Sequence, residues 1–319
     1  MEKKQILRQL YATYVFFWLT VTSRKPIGLN VFDRDWDVLL LLDTCRVDAL
    51  REVEDEYSFL EDIEEVWSVG STSKEWVEQT FTEQYTGEIA NTAYITGNPF
   101  SNTLLGERQR TEYGTTYGTW IQQEWVNKLI KDDIVDIESL GHLEPLWGTT
   151  GSDAPFERSQ HPPQLTDYTI RAARDSEFDR VITHYMQPHS PYFSTSNFYD
   201  ELEEYEKRPF EAIVTGDEED RQQVWDAYID NLRYVLDHIE TLLENTDGTV
   251  VITADHGELL GDHGMHYHMP GNPHPKLKKV PWVEIETTDQ QTYNPDVSLT
   301  GHENAEDVSE DQLEALGYL

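Results

Sequence analysis

The sequence predicts an α/β fold: a three-layer α/β/α sandwich with a mostly parallel central sheet. The first observation is a set of short apolar runs that end abruptly, at Asp37–Leu42, Thr92–Thr96, Arg180–Met186 and Gly248–Thr253. Such short, unbroken runs are typical of strands buried on both faces of a parallel sheet. The second is the helical spacing of apolar residues over Arg221–Asn245. Strands that alternate with amphipathic segments favour this layered architecture.

The remaining segments complete a single domain over residues 1–319. We find no internal repeat and no low-complexity linker to divide it. Residues 1–30 are interpreted as an N-terminal helical extension, and residues 307–319 as a short closing helix. The stretch Gly261–Pro275, rich in Pro, Gly and His, is predicted to be an ordered loop near a site. Val280–Ile285 follows it as a last strand.

The charge of the chain excludes one class of partner. It carries 61 Asp and Glu against 24 Lys and Arg, a formal net charge of -37. An acid excess of this size repels phosphate backbones, so we expect no nucleic-acid partner. The acid is spread along the chain and Lys is scarce, which resembles proteins of salt-loving archaea, where salt screens the self-repulsion. The alternative is an ordinary acidic protein from a low-salt cytosol.

The cysteine content and the amino terminus bear on the compartment. A single cysteine, Cys45, excludes an internal disulfide and a Cys-rich metal module. At the amino terminus, Lys3, Lys4 and Arg8 flank the apolar run Leu10–Val21, which is short for a bilayer span and has no cleavage pattern after it. We therefore expect a cytoplasmic protein with no obligate membrane span, in which this helix docks on the protein or contacts a membrane surface peripherally.

Two apolar strands are followed by residues that could bind a cation. In open α/β sheets, ligands bind beyond the carboxyl ends of the strands. Asp43 follows the first run, and Asp255 with His256 follows the run Gly248–Thr253. Two carboxylates and an imidazole at one edge predict a site for a divalent cation. For Asp43 alone, a simple helix cap would explain the residue equally well.

Four motifs carry a resemblance to a known family. They occur in family order and are Leu39–Asp48, Thr183–Tyr192, Val250–Gly264 and Lys278–Trp282. Together they resemble the sulfatase branch of the alkaline phosphatase superfamily, whose fold is the sandwich described above. The resemblance implies that Asp43, Asp255 and His256 bind metal, and that His189 contacts the transferred group or the leaving oxygen.

The nucleophile is expected between the first and second motifs. Gly70–Trp76 resembles the nucleophile segment of lipoteichoic acid synthases, which implies that Thr72 is the nucleophile and also a metal ligand. Ser71 and Ser73 remain alternatives at this point. A cluster of Ser and Thr that caps the following helix would explain the segment without any catalysis.

The resemblance also implies a cofactor and a set of substrate contacts. We expect one divalent ion, Mn, Mg, Zn or Ca, because the position four residues before His189 is Tyr185 and lacks the second-metal aspartate of two-zinc enzymes. No formylglycine is expected, because the residues that follow Cys45 do not match the conversion motif. The substrate contacts are predicted to be His189, His263, His268 and Lys276.

The predicted function is metal-dependent hydrolysis of phosphate or sulfate esters on a glycan, lipid or small molecule, with a threonine nucleophile and an anionic ester as partner. One alternative is a phosphoglycerol- or phosphoethanolamine-type transferase, and another is a sulfatase that does without formylglycine. A non-catalytic protein that binds a glycan or another protein is the alternative from a different class. The sequence predicts no oligomeric state.

Overall fold

A computed structural model describes residues 2–105, 129–130, 133–147, 161–194 and 199–301. Its centre is a seven-stranded sheet. The strands are β1 (Val38–Leu42), β2 (Glu64–Trp67), β3 (Thr92–Thr96), β4 (His142–Pro145), β5 (Arg180–Tyr185), β6 (Gly248–Thr253) and β7 (Lys279–Thr287). Their order across the sheet is β2-β7-β6-β1-β5-β3-β4.

The sheet is mostly parallel, as predicted. β1 lies between β5 and β6 and pairs parallel with both, and β3 continues the parallel arrangement to β4. Only β7 and β2 are antiparallel to their neighbours. Every residue of β1 and of β3 is buried, so both faces of the sheet are covered at its centre. This is the environment that a continuous apolar run requires.

Helices cover the sheet between these strands. They are α1 (Glu2–Thr22), α2 (Val47–Glu52), α3 (Ser73–Thr80), α4 (Thr86–Ile89), α5 (Pro162–Ala173), α6 (Glu204–Lys207), α7 (Pro209–Thr215), α8 (Glu218–Leu243) and α9 (Pro275–Lys278). Helix α8 confirms the predicted amphipathic helix and begins earlier, because Asp217 and Asp220 form a capping box there. Its apolar face is fully buried and packs with α5 against the sheet.

Two strands were not predicted from the sequence, and both lie at edges of the sheet. In β2 only Val66 is buried. Strand β4 includes Glu144, which accepts hydrogen bonds from Thr300 and Gly301. Since an edge strand has one unpaired side, neither needs the long apolar run that marks a central strand.

After β7, residues 288–301 run back across the molecule without regular structure. Arg174 of α5 pairs with Asp289 near the start of this segment, with Nε and Oδ2 2.8 Å apart. At its end, the amides of Thr300 and Gly301 donate to Glu144 at 2.8 and 2.9 Å. The segment thus connects the β7 side of the sheet to β4 at the opposite edge.

The predicted N-terminal extension is helix α1, which packs on the domain through Ala12, Val15 and Leu19. Among the described residues, none forms a helix long and apolar enough to cross a membrane. The predicted closing helix at 307–319 lies outside the described residues, and the assignment of one domain to residues 1–319 stays a prediction.

Candidate active site

The carboxyl ends of four parallel strands bring polar side chains to one place. Asp43 directly follows β1, Asp255 and His256 follow β6, and Asn98 follows β3. His184 is the penultimate residue of β5, where it is in register with Leu41 of β1. Because β1 lies between β5 and β6, residues from three adjacent strands converge at this edge, which is where ligands bind in such sheets.

Asp43, Asp255 and His256 form a buried cluster. Each offers one ligand atom within 4.8 Å of the others, and all three side chains are fully buried. His256 Nε2 lies 3.8 Å from Asp43 Oδ1 and 3.5 Å from Asp255 Oδ2. Those two carboxylate oxygens make no hydrogen bond in the described part of the chain. Because buried carboxylate oxygens without partners are costly, the donor set fits a divalent cation.

The protonation of His256 suits it to bind a metal. Its Nδ1 lies 2.8 Å from the carbonyl oxygen of Gly257, which favours a proton on Nδ1 and leaves a lone pair on Nε2. Burial lowers the pKa of His256 to about 4, against the opposing charge of Asp255. The neutral imidazole therefore directs an unprotonated nitrogen into the cluster.

The pKa values of Asp43 and Asp255 are shifted in opposite directions, although both carboxylates are buried. Burial, followed by the charge of Asp255, raises the pKa of Asp43 well above its usual value. Burial alone would also raise the pKa of Asp255, but the imidazoles of His256 and His184 hold that pKa below its usual value. Two like charges this close favour either a proton or a cation between them.

His184 is a fourth member of the site that the sequence interpretation missed. Its Nε2 lies 3.4 Å from Asp255 Oδ2 and 3.8 Å from Asp43 Oδ2. Its Nδ1 lies 3.0 Å from the hydroxyl of Tyr94, which directs Nε2 towards the carboxylates. The sequence explains His184 as part of a strand; the signal that could identify it is its place near the end of β5, beside the strand that leads to Asp43.

Ser73 brings a hydroxyl into the cluster. Its Oγ lies 3.3 Å from Asp43 Oδ2 and 3.3 Å from His256 Nε2. As the first residue of α3, Ser73 also sits at the positive end of the helix, which stabilises developing negative charge. Asn98 fixes the carboxylate beside it, because Asn98 Nδ2 donates to Asp43 Oδ2 at 2.8 Å.

The hydroxyls of Ser71 and Thr72 form hydrogen bonds with Glu75 instead. Thr72 is the N-cap of α3, and its Oγ1 accepts a hydrogen bond of 3.2 Å from the amide of Glu75. The amide and hydroxyl of Ser71 both donate to Glu75 Oε2, at 2.8 and 2.5 Å. Ser73 Oγ therefore contacts the cluster, whereas Thr72 Oγ1 caps α3. The assignment of Thr72 as nucleophile and metal ligand stays a prediction.

Two glycines allow the loops to approach this closely. A Cβ on Gly70 would lie 2.6 Å from the amide nitrogen of Trp76, so only glycine lets the chain turn into α3 there. A Cβ on Gly257 would lie 2.0 Å from the carbonyl oxygen of Lys276. Gly257 is next to His256, and Gly70 lies three residues before Ser73, so both close approaches hold segments that carry residues of the cluster.

A second buried cluster, His189, Glu258 and His268, borders the first. Its ligand atoms also lie within 4.8 Å of one another. His268 Nδ1 is 2.8 Å from Glu258 Oε2, and the His268 ring centroid is 4.7 Å from that of His256 and 5.4 Å from that of His189. The structure thus brings together two of the predicted substrate contacts and adds Glu258. This cluster could also hold an ion, so the number of ions stays a prediction.

The pKa values of the two histidines in this second cluster are shifted in opposite directions. Burial, with the nearby His268, lowers the pKa of His189 to about 4. Burial alone would lower the pKa of His268 as well, but the carboxylate of Glu258 outweighs it and raises that pKa. His268 is therefore the better proton donor of the two.

Two predicted substrate contacts lie elsewhere. The ammonium of Lys276 forms an ion pair with Asp48, and His263 is exposed, with its ring centroid 5.8 Å from that of His274. Neither residue belongs to the two clusters described above. Their predicted contact with substrate stays a prediction.

Arg46 is a further residue that the sequence interpretation did not assign. Its nearly buried guanidinium pairs with Asp48 at 2.7 Å and with Asp262 at 2.9 Å, and it donates to the carbonyl oxygen of Glu258 at 3.3 Å. It therefore joins the loop after β1 to the loop after β6. Hydrogen bonds between charged groups are the stronger kind, so this contact stabilises the relative position of the two loops that carry the cluster.

Comparison with known proteins gives similarity at the level of structure only. A scan against protein-family models finds no match, and a search of curated proteins finds none either. Solved structures that resemble the chain include the C-terminal periplasmic domain of the phosphoethanolamine transferase EptC from Escherichia coli in complex with Zn, at 12% identity and a TM-score of 0.48, covering 83% of this chain and 77% of that one.

Two further structures show similar scores. The corresponding EptC domain from Campylobacter jejuni has 13% identity, a TM-score of 0.46 and 78% coverage of both chains. A 2-O GAG sulfatase has 14% identity and a TM-score of 0.45, covering 84% of this chain and 68% of that one. At these identities and scores, the similarity assigns no function to the chain.

Proposed function

We propose that the protein is a divalent-metal-dependent enzyme that hydrolyses or transfers phosphate esters through a covalent intermediate on Ser73. The observation that carries this proposal is the position of Ser73 Oγ, 3.3 Å from both Asp43 Oδ2 and His256 Nε2. The motif resemblance to the sulfatase branch of the alkaline phosphatase superfamily supports the same reaction class.

Asp43, Asp255 and His256 would hold the ion, with His184 the nearest further donor. A set that mixes imidazole with carboxylates suits Zn or Mn better than Mg or Ca. A bound divalent ion supplies a lower pKa for a neighbouring hydroxyl and stabilises negative charge on phosphoryl oxygens. The unpartnered oxygens of both carboxylates support this assignment.

The chain's own residues account for the transfer of protons. Ser73 Oγ attacks phosphorus as the bond to the leaving oxygen breaks, and Asp43 Oδ2, 3.3 Å away, accepts the hydroxyl proton. His268, whose pKa is raised by Glu258, donates a proton to the leaving oxygen. In the second half, water or an acceptor alcohol attacks phosphorus and gives its proton to the now neutral His268. The bond from phosphorus to Ser73 Oγ breaks, and Ser73 Oγ recovers its proton from Asp43. Hydrolysis and transfer differ only in this acceptor.

The second candidate is hydrolysis of sulfate esters, and the state of Cys45 bears on it. Formylglycine would require a modifiable Cys or Ser, but Cys45 is fully buried and burial raises the pKa of its thiol. A buried thiol of this kind is chemically inert. Neither Cys45 nor the serines Ser71 and Ser73 are followed by the conversion motif, so we propose that any sulfatase activity would use Ser73 directly.

The test is a panel of aryl phosphate monoesters, diesters, phosphonates and sulfates, assayed after chelation and reloading with Zn, Mn, Mg or Ca. We expect phosphoester turnover that depends on the ion and falls at least about a thousandfold in Ser73→Ala. Mass spectrometry of quenched reactions should find the phosphoryl group on the peptide that contains Ser73. Turnover confined to sulfates, or full activity in Ser73→Ala, would overturn the proposal.

A further inference from the structure

Among the described residues, helix α1 packs on the domain mainly through one apolar face, and a second apolar face is exposed. Ala12, Val15 and Leu19 are buried and face Ile130, with Met269 beside them. The opposite face carries six exposed apolar or aromatic side chains, 38 to 62% accessible: Ile6, Leu7, Leu10, Tyr14, Phe17 and Val21. At 3.6 residues per turn these six fall within an arc of about 100°. They form a continuous stripe along the helix.

Exposure of this kind is concentrated on α1. The stripe holds six of the thirteen large hydrophobic side chains that are exposed in the described part of the chain. The other seven are scattered from Ile27 to Tyr293. Single exposed apolar residues are ordinary, but a contiguous stripe marks a surface that binds something.

The charges near the stripe indicate what kind of surface binds to it. The first 25 residues contain five basic residues and one acidic residue, whereas the rest of the chain has 60 acidic and 19 basic residues. Of the basic residues, Arg24 and Lys25 are exposed where α1 ends. A second copy of the chain would bring two basic segments together, which is unfavourable. An anionic bilayer attracts this segment and repels the remainder of the protein.

We propose that the outer stripe of α1 docks the protein on the surface of a bilayer that contains anionic lipid. The helix would lie in the interface with its stripe among the acyl chains, as amphipathic interfacial helices do. Docking through α1 alone would also orient the molecule, because the acidic remainder is held away from the membrane.

The same helix is tied to the candidate active site. The hydroxyl of Tyr11 donates to the carbonyl oxygen of Pro270 at 3.0 Å, and that of Tyr14 donates to the carbonyl oxygen of Gly271 at 2.6 Å. The amide of Gly271 in turn donates to Glu75 Oε1 at 2.9 Å, within the first turn of α3. A docked α1 therefore places the Ser73 helix close to the bilayer. If the proposed function holds, this favours a phosphate ester carried by a lipid as substrate.

Vesicle sedimentation of the full chain tests the docking. Vesicles of phosphatidylcholine alone are compared with vesicles that also contain phosphatidylglycerol, at the lowest salt that preserves the circular dichroism spectrum. The test variant is Leu10→Glu with Phe17→Glu, and the matched control is Ile27→Glu with Val214→Glu, which adds the same charge at exposed apolar positions outside α1.

We expect the wild type to bind the anionic vesicles. The affinity should fall about a hundredfold in the α1 variant and change less than about twofold in the control. Turnover of a soluble aryl ester should be the same in all three proteins, so that failure of docking and failure of the proposed chemistry are separate results. Absence of binding to anionic vesicles overturns the proposal, as does equal loss in the control. A dimer in solution that the α1 variant disperses, without vesicle binding, would assign the stripe to a second copy instead.

Discussion

The hydroxyl of Tyr94 lies 3.0 Å from Nδ1 of His184, and both side chains are completely buried. This contact fixes the imidazole so that Nε2 faces the carboxylates of Asp43 and Asp255. Groups that orient a metal-site histidine affect ion affinity although they do not touch the ion.

Tyr94→Phe is therefore expected to lower the affinity for the divalent ion by about tenfold, measured by competition with a chelator. Tyr185→Phe is the matched control, because Tyr185 is also a fully buried tyrosine and its hydroxyl bonds to Thr166 at 2.8 Å, away from the cluster. An equal loss of affinity in both variants would mean that general destabilisation is the cause.

Substitutions at Thr72 are expected to change stability and not activity, in contrast to substitution of Ser73. Thr72→Ala removes the N-cap of α3 and should lower the free energy of unfolding by about 1 kcal/mol while the activity remains. Thr72→Ser should restore the cap. Chemical denaturation and steady-state kinetics measure the two effects. Loss of activity in Thr72→Ala, measured under conditions in which that variant remains folded, would favour threonine as the nucleophile.

Asp43→Asn should have opposite effects in the presence and absence of metal. Without an ion, the substitution removes one of two buried carboxylates that repel each other, so we expect the melting temperature to rise. With Zn or Mn added, the variant should bind the ion far more weakly and gain little stability from it. Calorimetry with and without chelator checks both. A variant that is less stable in both states would contradict the assumed repulsion.

The buried side chain of Lys278 is expected to make the stability of the protein depend on pH. Its side chain is almost fully buried, and burial lowers its pKa to about 8, against the opposing charge of Glu75. Between about pH 8 and the ordinary lysine pKa, the unfolded chain binds more protons than the folded protein, so this group makes stability rise with pH. At roughly 1.4 kcal/mol per pKa unit, the full contribution is roughly 3 kcal/mol.

Lys278→Met removes this titration while keeping the length of the side chain. Since tyrosines also titrate in this range, the informative quantity is the difference between the two proteins. The advantage of Lys278→Met over the wild type should be largest below pH 8 and shrink towards pH 10. Urea denaturation at several pH values measures it, and a difference that stays constant with pH would show that the pKa of Lys278 is the same in the folded and unfolded chain.

The sequence predicted the central part of the fold and the clustering of Asp43, Asp255 and His256 at one edge of the sheet, because both follow from the pattern of burial. A strand such as β1 is apolar throughout, and Asp43 and Asp255 stand out because each interrupts such a run. The placement of the hydroxyls was less predictable. Whether the hydroxyl of Thr72 or that of Ser73 lies beside Asp43 depends on which residue begins α3, because a shift of one residue turns a hydroxyl from the helix cap towards the cluster. The assignment of Thr72 as nucleophile stays a prediction. His184 could not be identified in this way, because a position within a buried strand explains the residue without a functional role.

The place of β1 at the middle of the sheet has a consequence for synthesis of the chain. Its only partners are β5 and β6, which begin at Arg180 and Gly248. On the ribosome, the five apolar residues Val38–Leu42 therefore emerge long before either neighbour is made. Pairing over such sequence distances is slow and leaves apolar segments exposed. The cluster of Asp43, Asp255 and His256 can form only after β6 has emerged, which requires more than two hundred further residues to be synthesised after Asp43.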